Sequence, residues 1–172
     1  MLKLLLFLTV ASALIAIAIW MHRNAHPLAV DIKADRILVE KGARSLTLFR
    51  GATPLKVYHV ALGSVPVGPK QTEGDHRTPE GSYTIDRRKA DSDFHLALHI
   101  SYPNSDDVAQ AAMRGVPAGS DIMIHGLPNG SGWIGVLHRR KDWTDGCIAV
   151  TDQEIEEIWH AVPDGTTIEI RP

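Results

Sequence analysis

The sequence predicts a mainly β fold, a barrel-like β-sandwich with two short helices, preceded by an N-terminal hydrophobic helix. Three observations carry this prediction. Short segments alternate apolar and polar residues with period two. Clusters rich in Gly and Pro separate them at short intervals. Only two stretches after the N-terminus carry helix caps, too few for strand–helix–strand units. The chain has 172 residues, 44% of them hydrophobic and 22% charged. That suits one domain with a true core and excludes a wholly disordered chain.

The elements follow in order. Leu4 to Met21 is an apolar run broken only by Thr9 and Ser12. As a helix it spans about 27 Å, close to the hydrocarbon thickness of a bilayer. No small-residue cleavage site follows Trp20-Met21-His22-Arg23, so an uncleaved signal anchor is favoured over a cleaved signal peptide. Either one exports the rest. Residues 1–26 are therefore read as anchor or signal peptide plus tether, and residues 35–171 as one domain. Residues 1–26 hold Lys3 and Arg23 and no acid, so the remainder keeps 16 basic against 20 acidic residues and carries −4. The whole chain carries −2 and has no Lys- or Arg-dense face, which argues against a nucleic-acid partner.

Arg36–Glu40, Ser45–Arg50 and Lys56–Leu62 read as an antiparallel meander, with turns at Lys41–Arg44 and Gly51–Pro54. Gly63 to Gly81 is a long Gly/Pro-rich loop, a length that usually signals a site. Ser82–Asp86 and Phe94–Ser101 read as strands. Ser105-Asp106-Asp107 opens a helix that Gly115 suits as a left-handed cap. Asp121–His125 and Cys147–Val150 are apolar strands. Thr151-x-x-Glu154 is a capping box for a helix through Trp159, and Thr166–Ile170 is the last strand.

Cys147 is the only cysteine, which excludes a disulfide framework and a Cys-rich zinc site within the chain. It is either a small buried hydrophobe or a nucleophile. Its setting, after Gly146 at the mouth of a strand, suits backbone amides that stabilise an oxyanion. A thiol at neutral pH needs a base. Of nine histidines, His125 stands at a strand-to-loop corner before Gly126. His138 lies in a charged run, Arg139-Arg140-Lys141-Asp142, read as a solvated surface able to hold an anion. His95 and His99 sit in a strand-like alternation, about 13 Å apart, too far to share a metal ion.

Ile124-His125-Gly126, followed by Thr144-x-Gly146-Cys147-Ile148, resembles the signature of the L,D-transpeptidase catalytic domain, the YkuD-type family. Gly68-Pro69-Lys70, Glu73-Gly74-Asp75 and Arg77-Thr78-Pro79-Glu80-Gly81-x-Tyr83 resemble another of its recurring segments. Ile100-Ser101-Tyr102-Pro103-Asn104 resembles one of its branches. The resemblance runs from about Asp35 to Ile170. It implies a β-sandwich-like fold and an enzyme that acylates its cysteine with the L,D-peptide bond of a peptidoglycan tetrapeptide stem. An amine of a second stem, or water, then takes the acyl group.

Carried over, Cys147 matches the nucleophile and His125 the general base. The Gly126 carbonyl orients that base, and the Gly146 and Cys147 amides form the oxyanion hole. Thr144 matches the Ser/Thr of the motif. Two positions depart from the pattern. Asp145 replaces a His and places an acid beside the thiol, and Ala149 replaces an Arg or Asn. Arg139, Arg140 or Lys141 is a substitute contact for a stem carboxylate. Trp133 and Trp143 are candidates to wall the groove or to pack, and Tyr102 is a further substrate-side candidate.

The resemblance thus implies an exported cysteine L,D-transpeptidase in cell-wall crosslinking, in the periplasm. Its partners are peptidoglycan stem peptides and the inner membrane through residues 4–21. It needs no metal or organic cofactor and works as a monomer. The alternatives keep the active site for hydrolysis, as an L,D-carboxypeptidase, endopeptidase or murein amidase, or make the domain a wall-binding module with an inert thiol.

Overall fold

A computed structural model describes residues 27–172. The apolar run Leu4–Met21 lies outside the described residues, and no helix among the described residues is long and apolar enough to cross a membrane.

Strand β1 (Arg36–Glu40) alternates as predicted, with Ile37 and Val39 buried. It pairs antiparallel with β2 (Ser45–Arg50) and parallel with β8 (Thr167–Arg171). In those registers Ile37 lies beside Leu48 and Ile168, and Val39 beside Leu46 and Ile170. All six are at most 2% exposed. Each such aliphatic side chain contributes about 1.5–3 kcal/mol on burial. Strand β3 (Thr53–His59) pairs antiparallel with β2 across a bulge at Leu48/Phe49, which completes the predicted meander. It runs three residues earlier than the predicted Lys56–Leu62 at both ends, because Gly51, with φ +57, completes the turn before Thr53.

Strand β4 (Gly81–Ser92) belongs to both halves of the sheet. Gly81–Thr84 pairs antiparallel with β8, and Ile85–Ser92 pairs antiparallel with β5 (His95–Ile100). Strand β6 (Met123–His125) pairs antiparallel with β5, and β7 (Ile148–Ala149) pairs parallel with β6. The order is β3-β2-β1-β8-β4-β5-β6-β7. The predicted sandwich is therefore one curled eight-stranded sheet, joined in its middle by the bulged β4. The chain leaving β3, at one edge, returns to β7, at the other. Ala61 N–H donates to the Ala149 carbonyl at 2.9 Å, and Ala149 N–H donates to the Ala61 carbonyl at 2.8 Å.

Helix α1 (Ser105–Arg114) starts at an Asn104/Asp107 capping box and ends at Gly115 with φ +70, the predicted left-handed cap. Helix α2 (Asp152–Ala161) starts at the predicted Thr151/Glu154 capping box and packs against β5 and β6. Its Ile155 and Ile158 are fully buried. Between β6 and β7, Gly132–Arg140 forms 3-10 turns interrupted at Gly135, for which the sequence gives no element.

Candidate active site

Strands β6 and β7 position His125 and Cys147. Ile124 pairs with Ile148 and both are buried in the core. Pleating then sends their flanking residues to the opposite face. His125, at the end of β6, and Cys147, just before β7, therefore share that face, offset by two residues, about 8 Å between Cα atoms. Both line a cavity of about 270 Å³, with Lys89, Phe94, Asp121, Trp143 and Asp145 among its walls. A larger depression, about 570 Å³, lies between Pro27–Val30 and α2 and is lined by no thiol.

His125 is 4% exposed. Its Nδ1 meets the Gly126 carbonyl at 2.7 Å, so Nδ1 carries the proton and Nε2 is left able to accept one. Burial holds the imidazole below its ordinary pKa, against the upward pull of that carbonyl. Phe94 and Trp143 pack on the ring at centroid distances of 4.5 and 5.8 Å. The Cys147 thiol is half-buried, and its Sγ lies 3.6 Å from the Asp121 carbonyl. Burial pushes it above its ordinary value. The Met123 backbone amide opposes this, and the carboxylates of Asp145 and Asp121 reinforce it.

The loop before Cys147 is built against Gly63–Gly81. Gly146 has φ +131, and a Cβ there would lie 2.7 Å from the Arg77 carbonyl oxygen. A Cβ on Gly63 would lie 2.3 Å from the His76 carbonyl oxygen and 3.1 Å from the Gly146 Cα. Only glycines permit this approach. Ser64 N–H donates to the Thr144 carbonyl at 2.9 Å, and Gly63 N–H donates to Thr78 Oγ1 at 3.0 Å.

The other expected residues fall into three groups. Thr144 is buried, and its hydroxyl donates to the Cys147 carbonyl at 2.7 Å. It also accepts the Gly146 N–H at 3.2 Å, so that amide is engaged within the turn. Asp145 sits on the rim and meets His76 Nδ1 at 2.7 Å. Trp143 both lines the cavity and packs on His125. Arg139, by contrast, is turned inward and paired with Glu154 of the α2 capping box. His138 is buried beside it, and burial pushes its pKa down to about 4. Of the run read as solvated surface, His138 and Arg139 are thus inside, and Asp142 pairs with Arg44. Tyr102 is 3% exposed, and its hydroxyl donates to the Ala118 carbonyl, away from the cavity lining. His95 and His99 lie on β5 as their alternation predicts, and each meets its own carboxylate, Glu156 and Asp86.

Lys89, Phe94 and Asp121 line the cavity without a signal in the sequence. The register of β4 on β5 brings the first of them in, and no local pattern encodes it.

Comparison with known proteins places the chain in a family. The sequence model of the L,D-transpeptidase catalytic domain matches residues 34–170. The chain is 34% identical over 110 residues to a protein of Escherichia coli K12 named "Putative L,D-transpeptidase YafK", a match covering 63% of this chain and 37% of that protein. Among solved structures, the helical cell shape determining protein Pgp2 of Campylobacter jejuni is similar with a TM-score of 0.59 at 24% identity, over 81% of this chain and 48% of that one. Bd1075 of Bdellovibrio bacteriovorus is similar with a TM-score of 0.54 at 26% identity, over 84% and 50%. The chain thus spans little more than a third of its curated relative and about half of these solved chains.

Proposed function

The chain belongs to the L,D-transpeptidase catalytic domain family, and from that membership we propose that it is an exported cysteine acyltransferase of peptidoglycan, held at the inner membrane by residues 4–21. One observation carries the chemistry. His125 at the end of β6 and Cys147 just before β7 line one cavity, and the Gly126 carbonyl fixes the imidazole with Nε2 free to accept a proton.

The reaction divides into two halves. His125 Nε2 takes the thiol proton as Cys147 Sγ attacks the carbonyl of the L,D-peptide bond. The tetrahedral intermediate then collapses. The carbon–nitrogen bond breaks, the imidazolium returns its proton to the leaving amine, and a terminal D-amino acid departs. The donor stem is left as a thioester on Cys147. In the second half an acceptor amine attacks the thioester and gives its proton to His125, and sulfur leaves as a thiol. Water as acceptor yields the free acid. The Gly126 carbonyl plays the part of an orienting third member, holding one tautomer through both proton transfers.

The test uses the full chain in detergent, with Cys147→Ala beside it, on tetrapeptide muropeptides and crosslinked dimers read by mass spectrometry. Cysteine-dependent dimers joined between third residues are the expected product. Cysteine-dependent tripeptide alone makes the enzyme a hydrolase. Identical, unchanged substrates with both proteins overturn the enzymatic reading in favour of a wall-binding module.

A further inference from the structure

We infer that Lys89 holds the carboxylate of the residue that leaves from, or returns to, the acyl group on Cys147, so that the site selects amines lying beside a free carboxylate. The inference rests on the acyl-enzyme reading above and names the recognition that the same cavity performs.

The register sets the geometry. Lys89 pairs with Ala97 of β5, and Ala97 pairs with His125 of β6. Paired residues of neighbouring strands share a face. Lys89, Ala97 and His125 therefore form one row across three strands, about 10 Å from end to end between Cα atoms. Cys147 immediately precedes β7, on the far side of His125 from Lys89. All four residues line the same cavity.

The order along the sheet is nucleophile, base, ammonium. His125 must deliver its proton to the leaving amine, so that amine lies on the His125 side of the scissile carbonyl. The leaving residue then extends along the cavity wall that Ala97 lines. Its carboxylate, one carbon beyond the amine, faces Lys89. An acceptor whose amine sits beside a carboxylate arrives along the same row. Water needs no such hold.

Charge singles Lys89 out. The neighbouring cations are committed elsewhere: Arg87 to Asp121, Arg88 to Asp164, Lys70 to Asp75 and Arg139 to Glu154. Lys89 is exposed at the cavity wall, and no ion pair of its own is formed among the described residues. Of Arg139, Arg140 and Lys141, expected from sequence to read a carboxylate, Arg139 is paired with Glu154 and the other two line a separate depression beside Ile134 and Leu137, so Lys89 takes that place.

The experiment compares two donors with the full chain. One is a tetrapeptide stem ending in a free D-alanine carboxylate, and the other is the same stem ending in the carboxamide. Wild type should release D-alanine with a kcat/KM about tenfold above that for D-alaninamide. Lys89→Ala should lose about tenfold on the carboxylate, mainly in KM, and nothing on the amide. Lys89→Arg should keep the preference. The unchanged amide reaction shows that the fold and the Cys147–His125 pair are intact. Equal losses on both donors, or no loss on either, overturn the role of Lys89, as does a wild type that treats both alike. A wild type that turns over neither donor overturns the peptidoglycan reading itself, and this inference with it.

Discussion

Cys147 and His125 rest as a neutral pair, because burial opposes both charged forms. It pushes the thiol up and the imidazole down. In the proposed reaction the thiolate is then made only as the sulfur attacks, by transfer of its proton to Nε2. The sign of the pH dependence follows. A lowered imidazole pKa means that the free base is regained at a lower pH than in an ordinary histidine. The acid limb of kcat/KM should therefore have its midpoint below 6.5, with a plateau through neutrality. Alkylation of Cys147 in a His125→Ala chain should accelerate only above pH 9, where the raised thiol ionises. A midpoint above 6.5, or rapid alkylation at neutral pH, would mean a resting ion pair instead. Asp145 adds to the thiol shift, but its carboxylate is 90% exposed and water screens it. Asp145→Asn should move the alkylation profile slightly to lower pH. At this scale the sequence is informative where chemistry needs a rare residue in a constrained place. The lone Cys147 after Gly146, and His125 before Gly126, are such places. Lys89 is one of many charged surface residues, and nothing beside it in the chain distinguishes it.

Elements are legible to the extent that their signals are local. The period-two strands β1 and β2, the capping box of α2 and the Gly115 cap are each encoded within a few residues, and they stand where the pattern puts them. Strand β4 runs to Ser92 through Asp86-Arg87-Arg88-Lys89, which has no apolar alternation. Its pairing with β5 supplies the order, and a pairing partner is not written in the strand itself. The Gly132–Arg140 turns fail to show for a similar reason. Arg139 is inward because Glu154, on another element, receives it. Arg139→Ala should thus disturb a helix cap and spare the substrate. We expect a loss of about 1 kcal/mol, or about 3 °C in melting temperature, with KM for the stem unchanged. A raised KM with an unchanged melting temperature would restore Arg139 to substrate binding. The turn before Cys147 is more sensitive. Gly146→Ala forces a side chain into φ +131 and against the Arg77 carbonyl. It should cost about 1–3 kcal/mol in stability. It should also lower kcat by about 100-fold, because the Cys147 sulfur moves off the carbonyl it attacks. Full activity in that variant would show that the turn can relax without moving the sulfur.

The whole molecule holds the site by closing the sheet on itself and wedging the Gly63–Gly81 loop against the turn before Cys147. The closure is the Ala61–Ala149 exchange, which ties the segment after β3 to the strand that follows Cys147. The wedge depends on Lys41, which is 2% exposed although it is a lysine. Its Nζ donates to the Gly68 carbonyl at 2.6 Å, the Thr78 carbonyl at 3.0 Å and Glu80 Oε1 at 2.8 Å. One buried ammonium thus gathers three points of a loop that has no regular structure of its own. Thr78 passes the constraint on through Gly63, and Arg77 through its contact with Gly146. Removing the ammonium leaves a part-buried carboxylate and two carbonyls without their donor. Lys41→Met keeps the shape of the stem and should still cost about 3–5 kcal/mol, the range for breaking a buried ion pair from one side. The loss should be concentrated where the ammonium acts. Amide hydrogen exchange should quicken over residues 63–81 and 144–147, while the β1–β2–β8 amides remain protected. Turnover should fall with the exchange protection of the nucleophile turn. Equal loss of protection across all strands would make Lys41 a general core residue. An unchanged exchange pattern would mean that the Gly63 and Gly146 contacts hold the loop without it.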